Sequence, residues 1–328
     1  MNYLSTWFYA ETDDDESDYP SVGGHSSSIE FQKAYWECVF DFFSSAHLTQ
    51  RSDGLELLFF TNVKKLPSNL AGIDFEAYFK DLGVRVFCLE LTHKVPKDWH
   101  GAWRNQFYLF DILNVLKDIK GNHLLLDSDC LITKDLSGLY ELIGEKGIVC
   151  YDCDDNDSND DDINGTSMSE MGTIIAAYTK KDCEPVRYKG GEFVGATSEA
   201  IFSLCDEFDQ LWSYNYHRYE KGLTKLTEEA HLLSALYKIL GYGGAEANSY
   251  VKRMWTAATW DTVVKGDENK AIWHLPAEKK YAFARLLPLI RGGVSREQFL
   301  MAARSETHIT WPRPLRRLAK AIEKIKHR

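Results

Sequence analysis

The sequence predicts an α/β fold in which a mixed, mostly parallel sheet is flanked by helices. Three observations predict it. Strand-like apolar runs alternate with helix-like segments through the first half of the chain. One of those runs, His123–Leu126, passes directly into Asp127-Ser128-Asp129, and carboxyl ends of strands are where open α/β sheets bind ligands. With 328 residues, 44% of them apolar, the chain is long enough to bury a large core.

Leu4–Ala10 reads as a strand, and Ser28–Ala46, opening after a Ser cluster, has the period of an amphipathic helix. Leu55–Phe60 is a short apolar run ending in Thr61-Asn62, and Val84–Leu91 is another strand. Trp103–Leu116 carries Phe107, Phe110, Leu113 and Leu116 at helical spacing, and Gly121 stops it. His123–Leu126 is a buried strand, Leu131–Ile132 continues beyond the acidic pair, Leu136–Ile143 is a short helix, and Gly147–Tyr151 is a strand again. The Asp-rich run 152–162 breaks this pattern. It lacks the in-frame Gly and Glu of an EF-hand and predicts a solvated loop. Tyr188–Gly195 is Gly-rich and aromatic, and a helix follows from Ser198 to His217. Thr227 is a candidate N-cap for a helix reaching Leu240, and Ile272–Pro276 is a short strand leading into a helix that runs to Ile290. Residues 1–290 are the expected catalytic domain, and 291–328 a helical extension with a basic tail.

A net charge of −11 argues against nucleic acid as a partner, because phosphate backbones need clustered Lys and Arg. The charge is uneven. From Arg313 onward seven basic residues and one acid, Glu323, give +6, which leaves −17 of the total −11 on the rest of the chain. The seven cysteines form no disulfide framework, and Cys150 and Cys153 have no second pair at zinc-finger spacing, so reduced thiols are expected. The N-terminus has neither a basic leader nor a long apolar run, and no segment approaches the roughly 20 apolar residues of a spanning helix. A cytoplasmic protein is expected.

The stretch 124–133 carries the chemistry. Residues i and i+2 of an extended chain point the same way, so Asp127 and Asp129 are both able to reach one cation. Carboxylates are hard ligands that suit Mn²⁺ or Mg²⁺. Such an ion bridges nucleotide phosphates and neutralises a departing diphosphate. Asp135, Leu136 and Leu139 follow in an x-Asp-Leu-x-x-Leu pattern.

With those residues the sequence resembles the GT-A fold of nucleotide-sugar glycosyltransferases, in which a Rossmann-like half ends in the Asp-x-Asp and the other half supplies the acceptor site. Leu58–Asn62 is similar to the second strand of that fold. Within it, Tyr188–Leu204 and Thr227–Leu233 resemble glycosyltransferase family 6, retaining α-1,3-galactosyl- and N-acetylgalactosaminyltransferases. Leu226, Leu233 and Val194 depart from that family's Trp, Asn and Gly. The resemblance implies a UDP-sugar donor. It places Arg104 on the donor, Glu228 on the donor sugar, Glu229 near the reacting carbon, and Gly191, Glu192 and His231 on the acceptor side. It also implies base recognition by Tyr9, Ala10 and Glu11 after the first strand. Two acids at a helix start are favoured by the macrodipole whatever their chemistry. Glu229 fits a general base, a nucleophile or a stabiliser of positive charge. His274 and Lys280 resemble the metal-binding His and diphosphate Lys of glycosyltransferase family 8, without the Gly between them.

In the tail, Leu315, Leu318, Ile322 and Ile325 form one apolar stripe among basic residues, the pattern of a helix lying on an anionic membrane surface. The whole predicts transfer of a hexose (galactose, glucose or an N-acetyl form) from a UDP-sugar to a glycan or lipid-linked acceptor, with retention, in polysaccharide synthesis at the inner face of a membrane. Three rivals remain open. A haloacid-dehalogenase-type phosphatase also opens on hydrophobic-Asp-x-Asp, but Leu131 and Gly266-Asp267-Glu268 match its later residues poorly. A sugar nucleotidyltransferase needs a better phosphate loop than Val22-Gly23-Gly24. A non-catalytic carbohydrate-binding protein with a transferase-like fold is the third.

Overall fold

A computed structural model describes residues 1–12, 17, 25–50, 54–99, 104–152 and 163–326. Chain order runs β1 (Asn2–Phe8), α1 (Ile29–Thr49), β2 (Leu55–Thr61), α2 (Phe75–Leu82), β3 (Arg85–Cys88), α3 (Tyr108–Leu116), β4 (Asn122–Leu126) and β5 (Cys130–Ile132). It continues through α4 (Ser137–Lys146), β6 (Ile148–Val149), α5 (Met168–Thr179), β7 (Phe193–Thr197), α6 (Ser198–Glu220), α7 (Glu229–Ile239) and β8 (Val251–Arg253). It closes with β9 (Ile272–His274), α8 (Ala282–Arg291), α9 (Arg296–Thr307) and α10 (Arg313–Lys326). The mixed α/β class expected from the alternation is the class observed. The Asp-rich run 153–162, including Cys153, and Val22-Gly23-Gly24 lie outside the described residues. Among the described residues no helix is long and apolar enough to cross a membrane.

Two compact units make up the chain. The first comprises Tyr3–Cys88, Leu126–Gly138 and Ser249–Arg328. It holds the strand order β3-β2-β1 and a small sheet ordered β5-β9-β8. β2 and β3 pair in parallel, Leu58 opposite Arg85. Helix α1 begins where Ser28, in extended backbone, accepts a hydrogen bond from the Phe31 N–H, and it buries Trp36, Cys38, Phe42 and Phe43. Trp36 packs on Phe75 with ring centroids 4.7 Å apart, which seats α2 against α1. A second core joins Leu131, Trp273, Phe283, Leu286 and Phe299, tying α8 and α9 to the small sheet.

The second unit comprises Met1–Asn2, Leu89–Leu125 and Leu139–Asn248. Its strands run in the order β4-β7-β6, with β6 and β7 antiparallel and Val149 opposite Gly195. The Gly-rich stretch thus leads into strand β7. Thr197 caps α6 by accepting from the Ala200 N–H, and stacking of Phe208 on Phe110 joins α6 to α3.

Some expected boundaries move. Residues 104–107 form a turn, so α3 begins at Tyr108. Pro276 opens only a single 3₁₀ turn, Pro276–Glu278, before α8 starts at Ala282. Thr227 does not cap α7. Its hydroxyl donates to the Asn164 carbonyl at 2.8 Å and lies 3.0 Å from His231 Nδ1, and Glu228 takes the cap position without a side-chain bond to the helix. Helices α2, α5 and α9 are additional to the elements read from the sequence.

Candidate functional site

In the first unit, the turn between β4 and β5 carries Asp127, Ser128 and Asp129, closed by the Cys130 N–H donating to the Asp127 carbonyl at 3.2 Å. β5 then pairs antiparallel with β9, and the register sets Cys130 opposite His274. The Leu275 N–H donates to the Asp129 carbonyl at 3.0 Å and extends that pairing. His274 therefore arrives beside the acids from a distant part of the chain. Its Nε2 lies 3.2 Å from Asp129 Oδ1 and 3.9 Å from Asp127 Oδ2. One ligand atom from each of the three residues lies within 4.8 Å of the others. Two carboxylates and an imidazole fit Mn²⁺ or Mg²⁺ in donor type. The Asp129 side chain is 2% exposed and that of Asp127 35%, so the cluster is anchored on one side and open on the other.

A fourth charged group joins them. Lys279 Nζ hydrogen-bonds Asp129 Oδ2, and it stands 5.4 Å from the ring centroid of Tyr35. Burial pushes the Asp129 carboxyl up, but the Lys279 ammonium and His274 outweigh it and hold the group well below the usual carboxylate range. Burial likewise opposes the charge of Lys279, and Asp129 reverses that and raises it. The pair is ionised within a buried setting. Helix α1 brings Tyr35 and Cys38 to the same place, where burial and then the Asp129 charge push both well above their ordinary values and keep them neutral.

The other residues expected at the donor have their own settings. Lys280 is exposed, whereas its neighbour Lys279 faces Asp129. Tyr9, Ala10 and Glu11 follow β1. The Asn62 side chain donates to the Ala10 carbonyl and accepts from its N–H, both at 2.8 Å, which gives the Asn ending β2 a use. The buried Glu11 carboxylate accepts from Ser17 N–H at 2.8 Å, from Ser17 Oγ at 2.6 Å and from Ser26 Oγ.

The second unit gathers the expected acceptor-side residues. Buried Glu228 accepts from Asn164 Nδ2 at 2.7 Å and from the Tyr188 hydroxyl, with His231 Nε2 at 3.7 Å. His231 is itself buried, its Nε2 2.8 Å from the Ile163 carbonyl. Half-buried Glu229 is the first residue of α7, and its N–H donates to Gln106 Oε1 at 3.3 Å. A Cβ on Gly191 would lie 2.5 Å from Glu229 Oε1, so only glycine lets the carboxylate rest over that backbone. Glu192 is buried with its carboxylate over Gly190 in the same manner. Arg104 is half-buried in the turn before α3.

Lys279 and the Tyr188–Asn164 support of Glu228 are the features that sequence reasoning missed. A lysine beside a candidate lysine was a visible signal, but nothing local said which of the two turned inward.

No protein-family model matches the chain, and no match is found among curated proteins. Among solved structures the chain is similar to mouse xyloside xylosyltransferase 1 in its apo form. The two are 10% identical, with a TM-score of 0.46 over 84% of this chain and 97% of that one.

Proposed function

We propose that this chain is a metal-dependent glycosyltransferase that moves a hexose from a UDP-sugar to a glycan or lipid-linked acceptor. The Asp127–Asp129–His274 cluster carries the reading, because it joins hard oxygen donors and an imidazole at the carboxyl end of a central strand. Asp127, Asp129 and His274 would hold a Mn²⁺ or Mg²⁺ ion, which when bound would supply positive charge toward a diphosphate. Asp127 offers the solvent-open carboxylate, and Asp129 is kept ionised and aimed by Lys279 and His274. Lys279 also sets a fixed ammonium beside the acids, so the diphosphate role expected of Lys280 passes to it in this proposal. Half-buried Tyr35 and buried Cys38, both neutral, lie beside the group.

Retention, expected from the resemblance, needs a carboxylate that stabilises positive charge at the anomeric carbon or bonds to it transiently. Glu229 is the residue proposed for that task. Its support is its half-buried setting over Gly191, a fit that any side chain at 191 would spoil. Glu228, held by Tyr188 and Asn164, is proposed to bind the donor sugar.

Asp127→Asn tests the reading better than a change at Asp129, whose partner Lys279 would be left buried without it. Calorimetry should show that parent protein binds UDP with Mn²⁺ and that the variant loses more than about a hundredfold in that affinity. Equal affinity in the two proteins removes the proposal.

A further inference from the structure

Helix α10 is turned opposite to an ordinary packed amphipathic helix. Its apolar stripe faces outward: Leu315 is 53% exposed, Leu318 58%, Ile322 46% and Ile325 71%. Its charged residues face the protein, Arg316 at 2% and Lys320 at 5% exposure. At about 100° per residue the four apolar side chains span an arc of about 80°, centred about 180° from Lys320. The inward face is held by charge rather than by apolar packing. Arg316 makes a two-pronged contact with Asp261 at 2.7 and 2.8 Å and donates to the carbonyls of Ile309, Trp311 and Val263. Lys320 reaches Glu278 at 2.7 Å and Glu323 at 2.9 Å, and Glu323 also receives Arg285 at 2.9 Å. With its charges so engaged, the helix has no freedom to roll its apolar side inward.

We infer that this outward face of α10 docks onto an anionic lipid bilayer. Charge decides for that occupant. Arg313, Arg317 and Lys324 are exposed along the same helix, and its one acid, Glu323, is turned inward. Arg316 and Lys320 are neutralised by buried acids, so the attraction of this helix to a negative surface comes from the exposed Arg313, Arg317 and Lys324, while the net negative remainder of the chain is repelled, which sets one orientation. Aromatic side chains suited to an interface lie beside it. Trp311, 44% exposed, precedes the helix, and Trp260, 61% exposed, follows the Ala258 and Thr259 carbonyls that Arg317 binds. The inference is independent of the reaction proposed above.

The test uses the full chain with vesicles of phosphatidylcholine alone or with about one third phosphatidylglycerol. The parent should sediment with the anionic vesicles, release with rising salt, and leave the neutral ones. Leu318→Ser/Ile322→Ser and, separately, Arg313→Glu/Lys324→Glu should each weaken binding by about tenfold or more. Their melting temperatures should match the parent, because these side chains are exposed; if the first pair misfolds, Ile325→Ser alone provides the reading. Stripe variants that bind vesicles as the parent does overturn the inference, as does equal binding to neutral lipid. It is also overturned if light scattering shows a parent dimer that the stripe variants convert to monomer.

Discussion

Replacing Lys279 by Met separates two counter-charges that compete for Asp129. Lys279 and Asp129 are both buried and in direct contact, and removing one member of such a pair leaves the other charged in a poorly solvated place. That costs about 3–5 kcal/mol, which for a protein of this size lowers the melting temperature by roughly 4–7 °C. In Lys279→Met, a divalent cation becomes the natural partner of Asp129. Mn²⁺ at about a hundredfold over its dissociation constant stabilises by about 2.7 kcal/mol, enough to restore much of the loss. In the parent the ion shares Asp129 with Lys279, so the same Mn²⁺ concentration should raise its melting temperature less. Scanning calorimetry of both proteins over a Mn²⁺ series measures the difference. Asp129→Asn/Lys279→Met should be more stable than Lys279→Met without metal and indifferent to Mn²⁺, because no buried charge is then left alone. Equal Mn²⁺ shifts in parent and Lys279→Met refute the reasoning, since cation and lysine would then not share the carboxylate.

Asp41, buried on α1 with neither carboxylate oxygen hydrogen-bonded, has its pKa pushed well up by burial and then by Glu37. A raised carboxyl pKa gives stability that is whole below the unfolded value of 3.8 and falls as pH rises toward the folded value, by up to about 1.4 kcal/mol per pH unit. Asp41→Leu should therefore melt higher than the parent at pH 8, and by a smaller margin at pH 5; an equal margin at both sinks the assignment. Gly191→Ala puts a Cβ 2.5 Å from Glu229 Oε1, so the flexible carboxylate must move aside; thermal melts should change little while donor hydrolysis falls. Glu229→Gln keeps the shape and removes the charge, and should lower kcat roughly a hundredfold with little change in donor affinity. A nearly active Glu229→Gln would leave that acid as a helix-start residue only.

The Asp-x-Asp and its strand were legible because the information is local. The three leucines 124–126 favour burial, but residues 127–129 form a turn rather than extended strand, so that turn, and not strand alternation, brings the two carboxylates together. Helix α1 was legible as a segment 28–46 opening after a Ser cluster, whereas the structure makes Ser28 its cap and carries the helix on to Thr49. Thr227 shows the limit of local reading: an ideal capping residue was taken by Asn164 and His231, a bond that depends on tertiary contact. The meeting of His274 with the acids depends on the β5–β9 register, and a slip of one residue would have turned its ring to the other face. Lys279 and Lys280 are equivalent in sequence, yet near a 3₁₀ turn one residue is about 120° of rotation, and burial beside Asp129 selected the first. For α10 the sequence determined that the helix has an apolar side and a charged side. Which side faces the protein was decided by Asp261 and Glu278, buried acids from other segments that Arg316 and Lys320 must neutralise.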